Sequence, residues 1–229
     1  MGVLALKLFL APSFVVAASV VARHHGSRIG GLVGGLPVVG GPILIVLAVV
    51  HGRAFGAEAS TACVLGMVSL VLFVIVYGRL AEHVHWAAAL VVGWLAFGAS
   101  TAVLAVATDR PGPLAGLAAA FVACGLGFVL LPRASVADTD AVHPTWDLPM
   151  RAGTAAAMVV ALTALSSSLG SELSGLLAPF PIITSVLAAF THAQRGAGET
   201  VVLLRGMLGG FFVYATLVFL FALALGAHV

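Results

Sequence analysis

Two short runs in this chain combine residue types that interrupt the regular hydrogen bonding of a helix. One is Gly40-Gly41-Pro42, within Leu36-Pro37-Val38-Val39-Gly40-Gly41-Pro42-Ile43-Leu44; the other is Pro179-Phe180-Pro181, with Thr184 and Ser185 close behind. Glycine weakens a helix interior by about 1 kcal/mol and proline by about 3 kcal/mol. Proline in a first turn is tolerated, because its missing N–H has no intrahelical use there. Each run therefore predicts a helix start, one from Pro42 to His51 and one from Pro181 to His192. A helix start presents unpaired N–H groups and about half a unit of positive charge. Two such starts in an apolar setting favour an anion, a carboxylate or a polar uncharged group, and disfavour a cation. Gly40, Gly41, Pro42, Pro179, Pro181, Thr184 and Ser185 are thus the candidate solute-binding residues. The hydroxyls of Thr184 and Ser185 can satisfy freed backbone groups or face a solute. The plainer role of Gly and Pro is tight helix packing or a kink; their recurrence in two related places favours a site.

The charged residues within apolar runs are the candidates for charge compensation or proton coupling: Lys7, Glu58, Arg151, Glu199 and Arg205. Carboxylates often serve proton relays in membranes, although Glu58 and Glu199 also suit the starts of their helices, where the dipole favours negative charge. Lys7 and Arg151 have interfacial snorkelling as their plainer role. Arg205 lies deepest, with Glu199 or a neighbouring helix as its expected partner. The eight histidines include no His-Glu-x-x-His pattern and no repeated His pair at ligand spacing, and the two cysteines, Cys63 and Cys124, are far apart. No metal or cofactor is expected from these spacings. There is no Gly-x-Ser-x-Gly, P-loop or dinucleotide fingerprint, so the chain does not read as an enzyme.

The elements that hold these residues follow from composition. Of 229 residues, 62% are hydrophobic and 8% charged, against roughly 25% charged in a soluble domain. So little charge cannot cover a water-facing surface, and lipid is the solvent that removes the difficulty. A formal charge of +2 offers nothing to a nucleic acid. Crossing the hydrocarbon core takes about 20 apolar residues, and about eight segments qualify: Val3–Ala22, Ile29–Val50, Ala57–Tyr77, Val84–Ala107, Pro113–Leu131, Met150–Leu169, Leu173–Thr191 and Thr200–Leu225. None alternates like a barrel strand, so an all-α integral membrane protein is expected. With eight spans, Arg23, Arg28, Arg79, Arg133, Arg151, Arg195 and Arg205 fall on one side, and Lys7, Arg53 and Arg110 on the other. The arginine-rich side is expected to be cytoplasmic, with both termini outside, in a cell (inner) membrane.

The second half echoes the first. The run around Pro42, ending at His51, resembles the run around Pro181, ending at His192. Glu58 follows His51 by the same interval as Glu199 follows His192, Gly66-Met67 matches Gly206-Met207, and Lys7 matches Arg151. The repeat pairs span one with six, two with seven and three with eight. Each pair is five crossings apart, so the copies run in opposite directions. The expected organisation is a first three-helix repeat over residues 1–80, a central helix pair over 81–132, a cytoplasmic loop over 133–149 and an inverted second repeat over 150–229. Spans two and seven are expected to be broken, with half-helices starting near the midplane. That is an architecture of secondary transporters. The functional expectation is a small transporter or facilitator for a small anionic or polar solute. Its partners would be the bilayer and the solute, with proton coupling and a homo-oligomer as open options. The rival readings are a channel whose half-helices line a pore, a histidine-based membrane metal or haem protein, and a structural subunit of a larger complex.

Overall fold

The computed structural model describes residues 2–38, 40–106, 112–134, 144–166 and 179–226. The described residues form eight helices and no strand: α1 (Gly2–His25), α2 (Ser27–Gly34), α3 (Gly40–His51), α4 (Arg53–Leu80), α5 (Trp86–Val106), α6 (Pro113–Leu130), α7 (Asp147–Ser166) and α8 (Ile182–Leu225). Five of them, α1, α4, α5, α6 and α8, are long and apolar enough to cross a membrane. At about 1.5 Å per residue, the 28 residues of α4 reach about 42 Å. Apolar side chains such as Leu95, Val103 and Val106 on α5 and Val122 and Val129 on α6 point outward, as suits a lipid-facing surface.

Three single glycines turn the chain sharply between helices. Gly26 separates α1 from α2, Gly52 separates α3 from α4, and Gly196 interrupts α8, with φ of 86°, 94° and 83°. This is the left-handed side of backbone space, which glycine enters without the penalty other residues meet. At Gly26 and Gly52 the residues four before and four after the corner touch: a methyl added at Gly30 would collide with Ala22, and one at Gly56 with Ala48. Each of these two corners therefore folds two helices into a close antiparallel pair. The polar stretch from His192 to Gly196, expected as a break between two spans, is helical up to Arg195, and Gly196 alone leaves helical geometry. One residue suffices for the turn.

Span two departs from its expected form. The span is broken, yet its glycine-rich first half is not irregular: α2 is helical through Gly30, Gly31 and Gly34, and α3 begins at Gly40. The glycines offset their weak helix propensity by admitting a neighbour. A methyl at Gly31 would collide with the Leu203 carbonyl, one at Gly35 with the Met207 carbonyl, one at Gly206 with the Arg28 carbonyl and one at Gly210 with the Leu32 carbonyl. Two Gly-x-x-x-Gly faces, 31/35 and 206/210, thus cross with backbone against backbone. The second segment of α8, residues 197–225, also packs on α4 and α6: Leu204 lies beside Gly78 of α4, Leu208 beside Gly127 of α6, and Phe212 edge-on to Phe121 of α6. The central pair α5 and α6 flanks α4. Cys63 and Cys124 are buried free thiols.

The last part of span six, the first part of span seven with Gly175, and Asp109, Arg110, Asp138, Asp140 and His143 lie outside the described residues.

Candidate functional site

The second segment of α8 is a ruler for depth. Ser27 hydrogen-bonds Glu199, Gly31 abuts Leu203, Gly35 abuts Met207 and Gly210, and Gly40 abuts Tyr214. Arg53 reaches the Ala224 carbonyl at 2.8 Å. Thus α2 and α3 run alongside this segment in the same direction. The break between α2 and α3 lies against residues 207–214, the middle of the segment's length. The first segment of α8, residues 182–195, runs the other way along α2. Its end meets α2's start, with Arg195 donating to the Ser27 hydroxyl at 3.5 Å. Its start meets α2's end, where a methyl at Gly34 would crowd Leu187 at 2.8 Å and Ile183 at 3.7 Å. So α3 and the first segment of α8 begin at a common depth and lead away toward opposite ends.

At the α3 start, the backbone partly satisfies itself. The Gly41 N–H donates to the Pro37 carbonyl at 2.9 Å, and the Val38 N–H to the Leu36 carbonyl at 2.8 Å. A side chain at Gly40 would collide with the Tyr214 hydroxyl, which itself lies 3.9 Å from Cys63 Sγ. Gly41 is roomier: an added methyl would meet only Pro37 Cβ, at 3.8 Å. Gly41 and Pro42 are half-buried.

At the α8 start, Pro179 and Pro181 are buried, and the Ser185 N–H donates to the Pro181 carbonyl at 2.8 Å. The Phe180 ring packs on Trp94 and edge-on to Phe97 of α5, with centroids 6.3 Å and 5.3 Å away. The Ser185 hydroxyl accepts the Trp94 indole N–H at 2.9 Å. Thr184 is buried. Ile183 faces α2, and Ser185, two residues on, falls on the opposite side of the helix. The seven candidate residues therefore split between two faces. Gly40, Gly41 and Pro42 lie on the α2–α3 side, while Phe180 and Ser185 engage α5.

The charged candidates have partners of their own. Arg205 donates to the carbonyls of Phe128, Leu131 and Pro132 at 3.0, 3.1 and 3.4 Å, and its guanidinium lies 5.6 Å from the Phe128 ring centre. It closes the C-terminal end of α6, so its partner is the neighbouring helix. Glu199 accepts from Ser27 beside the first turns of α2 and of α8's second segment; helix starts stabilise a carboxylate. Glu58 is exposed on α4, and the side chain of Lys7 lies outside the described ones. Arg151 is buried and joined to Asp147 at 2.8 Å, four residues apart on α7.

Asp147, the first residue of α7, is the centre of a polar network that joins three elements. One carboxylate oxygen accepts from Arg151 and from Gln194 at 2.6 Å, and the other accepts from Arg23 at 2.6 Å. Burial alone would raise this carboxyl's pKa, but the hydrogen bonds from Arg151, Gln194 and Arg23 outweigh it and hold the group below its usual value. The Asp147/Arg151 spacing of four was visible in the chain. Arg23 and Gln194 are 124 and 47 residues away, with no local signal. A contact between Tyr77 and His192 Nδ1 at 3.4 Å was likewise unforeseen. Among the described residues, no three His, Cys, Asp or Glu side chains gather as a metal site. Comparison with protein-family models, with curated proteins and with solved structures yields no match for this chain.

Proposed function

We propose that the protein is a small secondary transporter or facilitator of a small anionic or polar solute, built from two inverted three-helix repeats. The observation that carries this reading is the pair of half-helices, α3 and residues 182–195, that begin at one depth and diverge. Their starts direct two partial positive charges toward the interruption, and discontinuous helices at mid-depth are the recurrent binding element of transporters. Three further features support the inverted repeat. Each half-helix is followed by a one-residue glycine corner, Gly52 or Gly196. Each has its histidine, His51 or His192, in its last turn, and each is followed by a carboxylate, Glu58 or Glu199, early in the next helix. The arginine-rich end, with Arg23, Arg151 and Arg195, is the cytoplasmic end of this proposal, with both termini outside.

Uptake and counterflow of small carboxylates, inorganic anions and polar neutral solutes into proteoliposomes test the reading. A transported solute should be found, and Gly41→Leu, Pro181→Ala and Ser185→Ala should each lower its flux at least several-fold. Unchanged flux in all three would remove these residues from the site. Ion currents or flux that does not saturate would replace the transporter by a channel with the same half-helices.

A further inference from the structure

We propose that Asp147 is the latch that keeps the arginine-rich end of the molecule closed, tying the end of the half-helix 182–195 to α1 and α7. Its purpose rests on the transport reading, but its geometry stands separately. Asp147 is 1% exposed, and its two oxygens gather one donor from each of three elements. Arg23 comes from α1, Arg151 from α7 itself and Gln194 from the half-helix, all at 2.6–2.8 Å. Arg151 also joins α7 to the half-helix directly, with Gln194 Oε1 at 3.4 Å and the Phe190 ring centre at 5.1 Å.

Two of the latch arms sit beside glycine corners. Arg23 is three residues before Gly26, and Gln194 is two residues before Gly196. Both corners have positive φ, and a methyl added at either would meet nothing within 4 Å. These glycines are kept for backbone freedom and not for packing. An ion-pair knot whose arms end at such joints is a closure that can open where α7 meets residues 182–195. The Gly31/Gly35 crossing on Gly206/Gly210, by contrast, is backbone against backbone and travels as one body. Opening therefore parts α7 from residues 182–195 while α2 and the second segment of α8 stay together.

Beneath the latch, on the same stripe of α7 at intervals of four, are Ala155 and Val159, at 0% and 2% exposure. A cysteine at Ala155, with Cys63 and Cys124 replaced by alanine, reports whether water reaches below the latch. In proteoliposomes with a membrane-impermeant thiol reagent on the arginine-rich side, Ala155→Cys is expected to label slowly. Asp147→Asn should raise its labelling rate at least tenfold, and Asp147→Glu should restore most of the protection. Arg23→Gln and Gln194→Ala, each removing a single arm, should give increases of about threefold or more and serve where Asp147→Asn does not fold. Arg205→Gln, which loosens the same end through α6, should leave the rate unchanged. Equal protection in Asp147→Asn, Arg23→Gln and Gln194→Ala would overturn the latch, as would an equal rise in Arg205→Gln. No transported solute is needed, so a failed latch and a failed transport reading are told apart.

Discussion

Asp147 shows how far a side chain's role depends on residues remote in the chain. Its carboxylate answers two arginines, one of them buried, and removing one partner of a buried pair leaves an uncompensated charge. Asp147→Ala is therefore expected to cost about 3–5 kcal/mol, read as a lowered melting temperature in detergent. The pH dependence has a definite sign. A carboxyl whose pKa is lower when folded contributes its stability above the unfolded value, near 3.8, and loses it as pH falls through the folded value. Stability of the parent should hold from neutral pH down to about 4 and fall below it, and Asp147→Asn should be flatter across that lower range. Arg205 is the second residue whose position decides its role. With three carbonyls of the α6 end in its reach, Arg205→Leu is expected to lower stability by about 1–3 kcal/mol. Unchanged melting would remove the capping role. From sequence alone Arg205 was legible as a deep cation needing a partner. The partner was not, because carbonyls at a helix end carry no residue signature.

At the scale of elements, the glycines divide into two kinds that composition cannot separate. Gly31, Gly206 and Gly210 have a neighbouring backbone where a side chain would be, and alanine there should destabilise by about 1–3 kcal/mol through forced separation of α2 from α8. Gly196 has open space but a φ of 83°, so Gly196→Ala should cost about 1–2 kcal/mol from backbone strain alone. Gly98 and Gly125 have open space and lie within helices, and alanine there should be neutral or stabilising by up to about 1 kcal/mol. Melting temperatures of the six variants in one detergent check the ordering. The interruption of span two was legible from Pro37 and Gly40-Gly41-Pro42, but its extent was not. Propensity counts each glycine as a break, and only a packed partner turns Gly30, Gly31 and Gly34 into helix. The partner was spelled out as Gly206 and Gly210, at the same four-residue spacing. The one-residue corners were hidden for a related reason: a lone glycine after His25, His51 or Arg195 resembles an ordinary helix end.

For the whole molecule, low charge and long apolar runs made the all-helical, bilayer-length architecture readable, since they depend on composition rather than on contacts. The candidate site was readable as two repeat-related half-helix starts near the midplane, but not in the directions its side chains take. The structure brings Gly34 against Ile183 but turns Ser185 toward Trp94 of α5, an orientation set by helix rotation that no spacing reveals. The same path gives a topology. Cysteines at Arg28 and Arg195 should label from one face of a sealed vesicle, and cysteines at His51 and Arg53 from the other. Labelling of all four from one face would break the proposed arrangement.

On the transport proposal, the interruption between α2 and α3 serves a solute path rather than packing alone. Gly41, where a side chain has room, is the position that tests it. With Cys63 and Cys124 replaced by alanine, Gly41→Cys should react with a small aqueous, membrane-impermeant thiol reagent, much faster than a cysteine at Val103 on the outward face of α5. Reaction at Gly41→Cys no faster than at Val103→Cys, from either side of the membrane, would contradict it.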